Sequence, residues 1–161
     1  MSCCAPCSAA AIKNLCEDGR DFIVLFYNPN IFPRAEYDKR LNEQIALCEK
    51  LGVKFAFAHY DHDEWLNAVK GHEKDQERGA RCELCFRMRL TYGVKWAKLN
   101  GYDHITSVFG VSRHKDNNQV LRAANDATKL EYVNIDFPYT PEPDIYRQKY
   151  CGCEFSETYK K

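Results

Sequence analysis

Short apolar runs alternate with amphipathic stretches along the chain. Residues 22–27, Phe-Ile-Val-Leu-Phe-Tyr, are almost wholly apolar, which is typical of a strand buried on both faces of a sheet. Three further strands are predicted at residues 53–60, 104–111 and 132–137. Because helical patterns separate these runs, we expect an α/β fold with a parallel sheet covered by helices.

The helices are predicted from periodicity and from capping residues. Tyr37, Leu41, Ile45 and Cys48 recur every three or four residues, so they form one stripe of a helix that ends near Gly52. Four other helices are predicted. The first begins after Ser8 as N-cap, and the second carries Trp65 and is capped by Asp61 or Asp63. The third covers residues 82–99 and ends at Asn100-Gly101, and the fourth covers residues 118–127.

Folds of this kind place their functional sites beyond the carboxyl ends of the strands. We therefore expect chemistry in the loops 28–35, 61–64 and 111–116 and in the segment after residue 137. A strand–loop–helix unit would also have a strand before Cys3, where only Met1 and Ser2 stand. The first strand is therefore expected to be missing or truncated, or to be omitted by the start of this sequence.

Length and composition exclude several classes of protein. With 161 residues, we expect one domain over 1–161, in which 138–161 is a cysteine-bearing C-terminal segment. No apolar run approaches the twenty or so residues of a membrane helix, and the N-terminus lacks the features of a signal peptide, so we expect a cytoplasmic protein without membrane contact. Since 23 basic residues balance 23 acidic ones, contact with a nucleic acid would need a local basic patch.

Cysteine is the residue that stands out. The chain has nine, at positions 3, 4, 7, 16, 48, 82, 85, 151 and 153. The count is odd and the chain is long enough to fold without disulfides, so these cysteines are first interpreted as metal ligands or redox groups. Cys16 and Cys48 lie on predicted helix stripes and are expected to be small buried hydrophobic residues.

Two cysteine pairs together supply four thiolates. Cys82 and Cys85 have the CxxC spacing at the start of a predicted helix, and a loop could turn the adjacent Cys3 and Cys4 towards the same centre. Four thiolates suit a [4Fe–4S] cluster, but four sulfurs on one zinc ion suit the same residues. Cys7, at the start of a helix, is a further candidate ligand.

Cys151-Gly152-Cys153 is a different kind of pair. Two cysteines at i and i+2 can form a disulfide only in a tight turn, and Gly152 permits the backbone angles of such a turn. A small, strained disulfide is easily reduced, which favours a redox-active pair. The alternative is that the two cysteines are further metal ligands.

Basic and aromatic residues are interleaved at 86–92 and at 146–150, next to two of the cysteine groups. This pattern could form an RNA contact, although an amphipathic helix with a solvated basic face has the same pattern. No Walker-type phosphate loop or Gly-x-Ser-x-Gly elbow occurs in the sequence.

Four motifs carry most of these residues. They are Cys3-Cys4-Ala5-Pro6-Cys7-Ser8, Phe26-Tyr27-Asn28-Pro29-Asn30-Ile31, Gly79-Ala80-Arg81-Cys82-Glu83-Leu84-Cys85-Phe86-Arg87-Met88-Arg89-Leu90 and Tyr146-Arg147-Gln148-Lys149-Tyr150-Cys151-Gly152-Cys153. Together they resemble the motifs of the epoxyqueuosine reductases of the QueH type. The resemblance runs from Cys3 to Ser156. It implies a doubly wound parallel sheet of the adenine-nucleotide α-hydrolase (HUP-like) type and a single catalytic domain that removes the epoxide oxygen of epoxyqueuosine at the tRNA wobble position.

The resemblance also implies particular roles for residues. Cys3, Cys4, Cys82 and Cys85 would hold a [4Fe–4S] cluster, an additional iron is a further candidate cofactor, and Cys151 and Cys153 would form a redox-active disulfide fed by an unidentified electron donor. The expected contacts to the tRNA substrate are Asn28, Asn30, Arg87, Arg89, Arg113, Lys115 and Arg147.

Two other classes of function remain open at this stage. One is an ATP-dependent tRNA sulfurtransferase of the same fold, whose phosphate loop this sequence lacks. The other is a zinc- or cluster-bearing tRNA-binding module, which would need the four thiolates but no reducible Cys-x-Cys pair.

Overall fold

A computed structural model describes residues 1–127, 131–132, 145–146 and 148–156 of the 161-residue chain. In this part of the chain, helices alternate with short strands. In chain order, the elements are α1 (Ala5–Glu17), β1 (Ile23–Phe26), α2 (Arg34–Lys50), β2 (Lys54–Phe57), α3 (His62–Ala68), α4 (Ala80–Leu99), β3 (His104–Ile105), a 3₁₀ turn (Phe109–Val111), α5 (Asn117–Ala127) and β4 (Glu131–Tyr132).

All strand pairs formed by these four strands are parallel. β1 pairs with β2, with Ile23 opposite Lys54, and β3 pairs with β4, with His104 opposite Glu131. Parallel strands joined by helices confirm the predicted α/β fold class. The carboxyl ends of β1 and β2 therefore lie at one edge of their sheet, as those of β3 and β4 do in theirs.

The first two residues connect the two strand pairs. Ser2 forms a parallel bridge with Phe26, and its backbone N–H donates to the carbonyl oxygen of Leu25 at 2.9 Å. On the other side, the N–H of Val108 donates to the carbonyl oxygen of Met1 at 3.1 Å. Met1 and Ser2 thus lie between β1 and the chain that follows β3, where a strand preceding Cys3 would lie.

The strand predicted at 104–111 is shorter than expected. β3 ends at Ile105, and the chain then turns, so that the N–H of Val111 donates to the carbonyl oxygen of Val108 at 3.3 Å. Phe109 is completely buried in this turn, in a cluster with side chains of α4 and α5. An apolar run that is buried on all sides has the same sequence pattern as a buried strand, which is why the prediction was wrong here. Of the predicted strand 132–137, only residue 132 lies within the described residues.

The ends of the helices correct one prediction and confirm another. α1 begins at Ala5 with Cys4 as N-cap, so Ser8 is not the cap; its hydroxyl donates to the carbonyl oxygen of Cys4 at 2.6 Å instead. The Asp61 carboxylate accepts a hydrogen bond from the N–H of Glu64 at 2.9 Å and caps α3 as predicted. None of the helices in the described ranges has both the length and the apolar character needed to cross a bilayer.

One buried apolar cluster positions the cysteines. It joins the start of α1 to α4, α5 and the turn at Phe109, and its buried members are Cys3, Cys4, Cys7, Ala11, Phe86, Leu90, Val108, Phe109, Val120, Ala123 and Ala124. Because three cysteines belong to this cluster, their sulfur atoms are held in place by close packing and shielded from solvent.

Candidate metal centre and redox site

Three cysteine sulfurs meet at the start of α1. The Sγ atoms of Cys3 and Cys4 are 3.9 Å apart, and those of Cys3, Cys4 and Cys7 all lie within 4.8 Å of one another. On a tetrahedral zinc ion with Zn–S bonds of about 2.3 Å, the sulfurs would be about 3.8 Å apart. The three buried cysteines could therefore hold a thiophilic metal with little rearrangement.

The charges around these sulfurs favour a thiolate at Cys3. Hydrogen bonds with the Cys4 and Cys7 thiols, and the nearby charge of Lys115, hold the pKa of Cys3 well below its usual value. The hydrogen bond that the Cys4 thiol donates to Cys3, together with burial and the negative charge of Cys3, raises the pKa of Cys4 to about 12. Without a metal, the three sulfurs therefore share one negative charge, and metal binding would release the remaining thiol protons.

Cys82 and Cys85 lie in the first two turns of α4. Cys82 packs against the buried cluster that contains Cys3, Cys4 and Cys7, whereas Cys85 packs in a second cluster with Cys153. Burial raises the pKa of the Cys82 thiol to about 11. The CxxC pair thus lies between the three sulfurs at α1 and the Cys-x-Cys pair.

Cys151 and Cys153 are free thiols in this structure. A hydrogen bond from the Cys153 thiol lowers the pKa of Cys151 to about 6, and the ammonium charge of Lys115 acts in the same direction. Because it donates that hydrogen bond and is largely buried, Cys153 has a pKa raised above its usual value. Cys151 is therefore the thiolate of this pair at neutral pH, and Cys153 is the thiol.

The turn between these two cysteines requires glycine. Gly152 has a φ of +107°, and a Cβ atom on it would lie 2.9 Å from Cγ1 of Ile31 and 3.0 Å from Nη1 of Arg40. The carbonyl oxygen of Gly152 also accepts a hydrogen bond from the N–H of Phe32 at 2.8 Å, beside an antiparallel bridge between Ile31 and Cys153. The Cys-x-Cys segment is thereby fixed to the loop that follows β1.

A buried arginine, Arg40 of α2, holds this segment from one side. Its Nη1 and Nη2 atoms donate to the carbonyl oxygens of Cys151 and Tyr150 at 3.1 and 3.2 Å, and its Nε donates to Glu36 at 2.7 Å. Arg40 is only 2% exposed. Sequence reasoning missed this residue, because an arginine four residues after a glutamate on a helix is typical of a surface ion pair.

A second buried arginine holds the other end of the segment. Arg81, directly before Cys82, donates through Nη2 to the carbonyl oxygen of Phe155 at 3.3 Å and through Nη1 to that of Glu73 at 3.0 Å. In the sequence, Arg81 is recognisable only as part of the motif around the CxxC pair. In the structure, it joins α4 to the chain that follows Cys153.

Two adjoining cavities are lined by these groups. The smaller, about 20 Å³, has Cys82, Cys85, Cys151 and Cys153 in its walls. The larger, about 110 Å³, is lined by Cys3, Cys4, Cys7, Arg40 and Tyr150 among others. Three residues line both cavities, namely His114, Lys115 and Cys151. Cysteines that lie far apart in the chain thus line two cavities that share part of their walls.

Comparison with known proteins assigns the family. A sequence model of the epoxyqueuosine reductase QueH family matches residues 1–159, nearly the whole chain. This chain belongs to the epoxyqueuosine reductase QueH family. The resemblance seen in the four motifs is therefore confirmed.

Individual members of the family are similar over most of their length. The chain is 38% identical to epoxyqueuosine reductase QueH of Histophilus somni, and the match covers 96% of this chain and 70% of that protein. It is 36% identical to the QueH proteins of Haemophilus influenzae and Acinetobacter baylyi, and the matches cover 69% and 78% of those proteins.

The polar residues expected to contact substrate have different surroundings. Asn28 is buried; its Nδ2 donates to the carbonyl oxygen of Ser2 at 3.0 Å, and its Oδ1 accepts a hydrogen bond from Arg89. Asn30 is also buried and lines the smaller cavity, where its Oδ1 has no hydrogen-bond partner among the described residues. Asn30 is therefore the better placed of the two asparagines for a contact in the cavity.

Of the basic residues predicted to contact tRNA, some point into the interior and others are exposed. Arg89 is buried and donates to the carbonyl oxygen of Tyr27 at 3.3 Å, and the Nζ of Lys115 points to Cys3. Arg87 and Arg113 are exposed, and Arg87 forms an ion pair with Asp126 at 3.1 Å. Arg147 lies outside the described residues. Their contacts with tRNA stay predictions.

The two remaining cysteines differ from each other. Cys48 is buried, as predicted, and accepts a hydrogen bond from Nε2 of Gln44 at 3.5 Å. Cys16 is exposed, so the prediction that it is a buried hydrophobic residue was wrong. It lies near the end of α1, beyond the part of the helix that packs in the interior.

Proposed function

We propose that this protein is an epoxyqueuosine reductase, which removes the epoxide oxygen of epoxyqueuosine in tRNA and leaves queuosine. Membership of the family supports the reaction. The convergence of the cysteines on two cavities that share Cys151 and Lys115 is the observation that carries it. In keeping with the tRNA substrate, we place the reaction in the cytoplasm, in one catalytic domain of the adenine-nucleotide α-hydrolase type.

The proposed cofactor is a [4Fe–4S] cluster held by Cys3, Cys4, Cys82 and Cys85. The donor set fits a thiophilic centre, because three sulfurs lie within 4.8 Å of one another and Cys82 packs against the same buried cluster. Cys7 is available as a further ligand, for the cluster or for an additional iron. When bound, the cluster would supply electrons and a Lewis acid beside the epoxide.

The Cys151 and Cys153 pair can supply as many electrons and protons as the removal of the epoxide oxygen consumes. Removal of the epoxide oxygen consumes two electrons and two protons and releases water, while the two carbon–oxygen bonds are replaced by a carbon–carbon double bond. Oxidation of two thiols to a disulfide releases two electrons and two protons. We therefore assign Cys151 and Cys153 to a redox-active disulfide that passes electrons to the reaction and is then reduced again by an external donor.

Conversion of the substrate tests this function. Anaerobically purified protein is incubated with dithionite and tRNA that carries epoxyqueuosine, and the digested nucleosides are measured by mass spectrometry. We expect epoxyqueuosine to be replaced by queuosine. Substrate that remains intact in the presence of iron-loaded protein would contradict the proposal.

Cysteine variants test the role of the Cys-x-Cys pair. Replacing Cys151 and Cys153 by serine should leave the cluster's absorption spectrum intact, whereas repeated turnover should fall at least tenfold. Loss of the cluster in this double variant would show that the pair binds metal instead. A Cys16→Ser variant is the matched control and should keep both the spectrum and turnover, because Cys16 is exposed and lines neither cavity.

A further inference from the structure

Lys115 has an unusual position for a lysine. It lies in the loop between the 3₁₀ turn and α5, and its Nζ is 3.2 Å from the Sγ of Cys3 and 5.1 Å from the centre of the Phe109 ring. Its backbone N–H donates to the carbonyl oxygen of Ser112 at 3.0 Å, which fixes the turn that carries it. A lysine ammonium held inward needs a negative partner, and here that partner is a cysteine sulfur.

The carboxylate in this region is not the negative partner of Lys115. Among the described residues that line the two cavities, Glu77 is the only acid, and it accepts a hydrogen bond from Ser156. The Nζ atom of Lys115 lies within hydrogen-bond distance of the Cys3 sulfur. Lys115 is therefore a donor directed at the cysteines.

Lys115 also lies at the junction of the two thiol groups. It lines both the cavity with Cys3, Cys4 and Cys7 and the cavity with Cys82 and Cys85. Hydrogen bonds to ligand sulfurs and nearby positive charge stabilise the reduced, more negative state of an iron–sulfur centre and raise its reduction potential. The ammonium group of Lys115 would act on such a centre through its hydrogen bond to the Cys3 sulfur.

We propose that Lys115 is a positioning residue that sets the reduction potential of the metal centre through its hydrogen bond to the Cys3 sulfur. This inference rests on the proposed function, since it assumes a redox-active iron centre at Cys3. Addition of one electron to that centre increases its negative charge by one. The ammonium stabilises this added charge, so the reduced centre is more populated at a given potential.

The test is a redox titration of the iron-loaded protein with dithionite, followed by electron paramagnetic resonance. In Lys115→Met, we expect the ratio of reduced to oxidised centre at the wild-type midpoint to fall at least tenfold, which for a one-electron couple is about 59 mV. Lys115→Arg keeps charge and donors and should stay close to the wild type. Lys95→Met, on the exposed face of α4, is the matched control and should not change the potential.

A second variant keeps the test decisive if Lys115→Met does not hold iron. Lys115→Gln retains an N–H donor without the charge. Its reduction potential should lie between those of Lys115→Met and the wild type. If Lys115→Met does not bind iron, the potential of Lys115→Gln should still lie below that of the wild type. The inference would be overturned if both neutral variants had the wild-type reduction potential. It would also be overturned if only Lys115→Gln bound iron and its potential equalled that of the wild type.

The outcomes for function and for this residue can be separated. Conversion of epoxyqueuosine together with an unchanged potential in the neutral variants would contradict the role of Lys115 and leave the reductase intact. A potential that depends on Lys115 in a protein that does not convert epoxyqueuosine would contradict the function and support the residue's role. A wild-type protein that holds zinc without iron would overturn both.

Discussion

At the residue scale, burial and neighbours divide the nine cysteines. Cys16 is exposed and Cys48 is a buried residue of the interior beside Gln44. The other seven line the two cavities. Among these, Cys3 and Cys151 have lowered pKa values because each accepts hydrogen bonds from neighbouring cysteine thiols. Each thiol group therefore has one preferred thiolate, the form that binds metal and attacks disulfides.

Alkylation of Cys151 should depend on pH as a low-pKa thiol does. Since the pKa of Cys151 is lowered to about 6, its thiolate is present above that pH and disappears as the pH falls through it. We expect the iodoacetamide reaction rate of Cys151 in reduced protein to be half-maximal near pH 6 and constant above about pH 7. Peptide mass spectrometry resolves the site of modification.

Variants of Cys153 test the cause of that low pKa. Cys153→Ala removes the donor and should move the midpoint towards the value of a free cysteine, about 8.5. Cys153→Ser keeps a hydroxyl donor and should preserve much of the shift. A midpoint that is the same in the wild type and in Cys153→Ala would show that the Cys153 thiol is not the cause.

At the scale of elements, three parts of the chain hold the Cys-x-Cys segment. Arg40 of α2 and Arg81 of α4 donate to its backbone carbonyl oxygens at opposite ends, and the loop after β1 pairs with it at Ile31. Buried guanidinium groups with several acceptors are rigid anchors, because each broken bond would leave a polar group unpaired. The helices thus fix the position of Cys151 and Cys153 relative to the other cysteines.

Replacement of Arg40 should loosen this segment. In Arg40→Met, Glu36 loses its cationic partner and two carbonyl oxygens each lose a donor, which for a buried pair costs roughly 3–5 kcal/mol of unfolding free energy. Chemical denaturation measures this loss. Arg34→Met is the matched control, since Arg34 forms an exposed pair with Asp38 and its removal should cost less than about 1 kcal/mol. Equal losses in the two variants would contradict an anchoring role for Arg40.

Local sequence signals predicted some of these elements and missed others. The CxxC pair at the start of α4 and the Asp61 cap of α3 follow from short-range spacing, so both were predictable. Arg40 was not, because its acceptors lie more than one hundred residues away in the chain. The inward direction of Lys115 was not predictable either, since it depends on the 3₁₀ turn at Phe109, whose apolar pattern indicated a strand.

At the scale of the whole molecule, the parallel strands bring distant loops together. Cys3 follows the bridge between Ser2 and Phe26, Asn30 follows β1, and Lys115 follows β3, so all three extend beyond the carboxyl ends of strands. This is where the α/β pattern predicted the site. The net charge of zero leaves tRNA binding to local groups, of which Arg113 is exposed and lines the larger cavity.

Arg113 should contribute to tRNA affinity more than to the chemical step. In Arg113→Gln, we expect KM for tRNA to rise several-fold with little change in kcat. The dependence of log affinity on log salt should weaken by about 0.7–0.9, because the guanidinium would no longer neutralise one phosphate. Arg20→Gln is the matched control, because Arg20 is exposed before β1, away from the carboxyl ends of the strands. Equal effects of the two variants would contradict a role for Arg113 in binding tRNA.

The metal content of the protein tests the central claim most directly. Iron, acid-labile sulfide and zinc are measured in anaerobically purified wild type and in single Cys→Ser variants at Cys3, Cys4, Cys82, Cys85 and Cys16. If Cys3 and Cys4 share one [4Fe–4S] cluster with Cys82 and Cys85, we expect about four irons and four sulfides per chain. Both should be absent from the first four variants and retained in Cys16→Ser. Zinc without iron, or full iron in the Cys82 and Cys85 variants, would contradict the account.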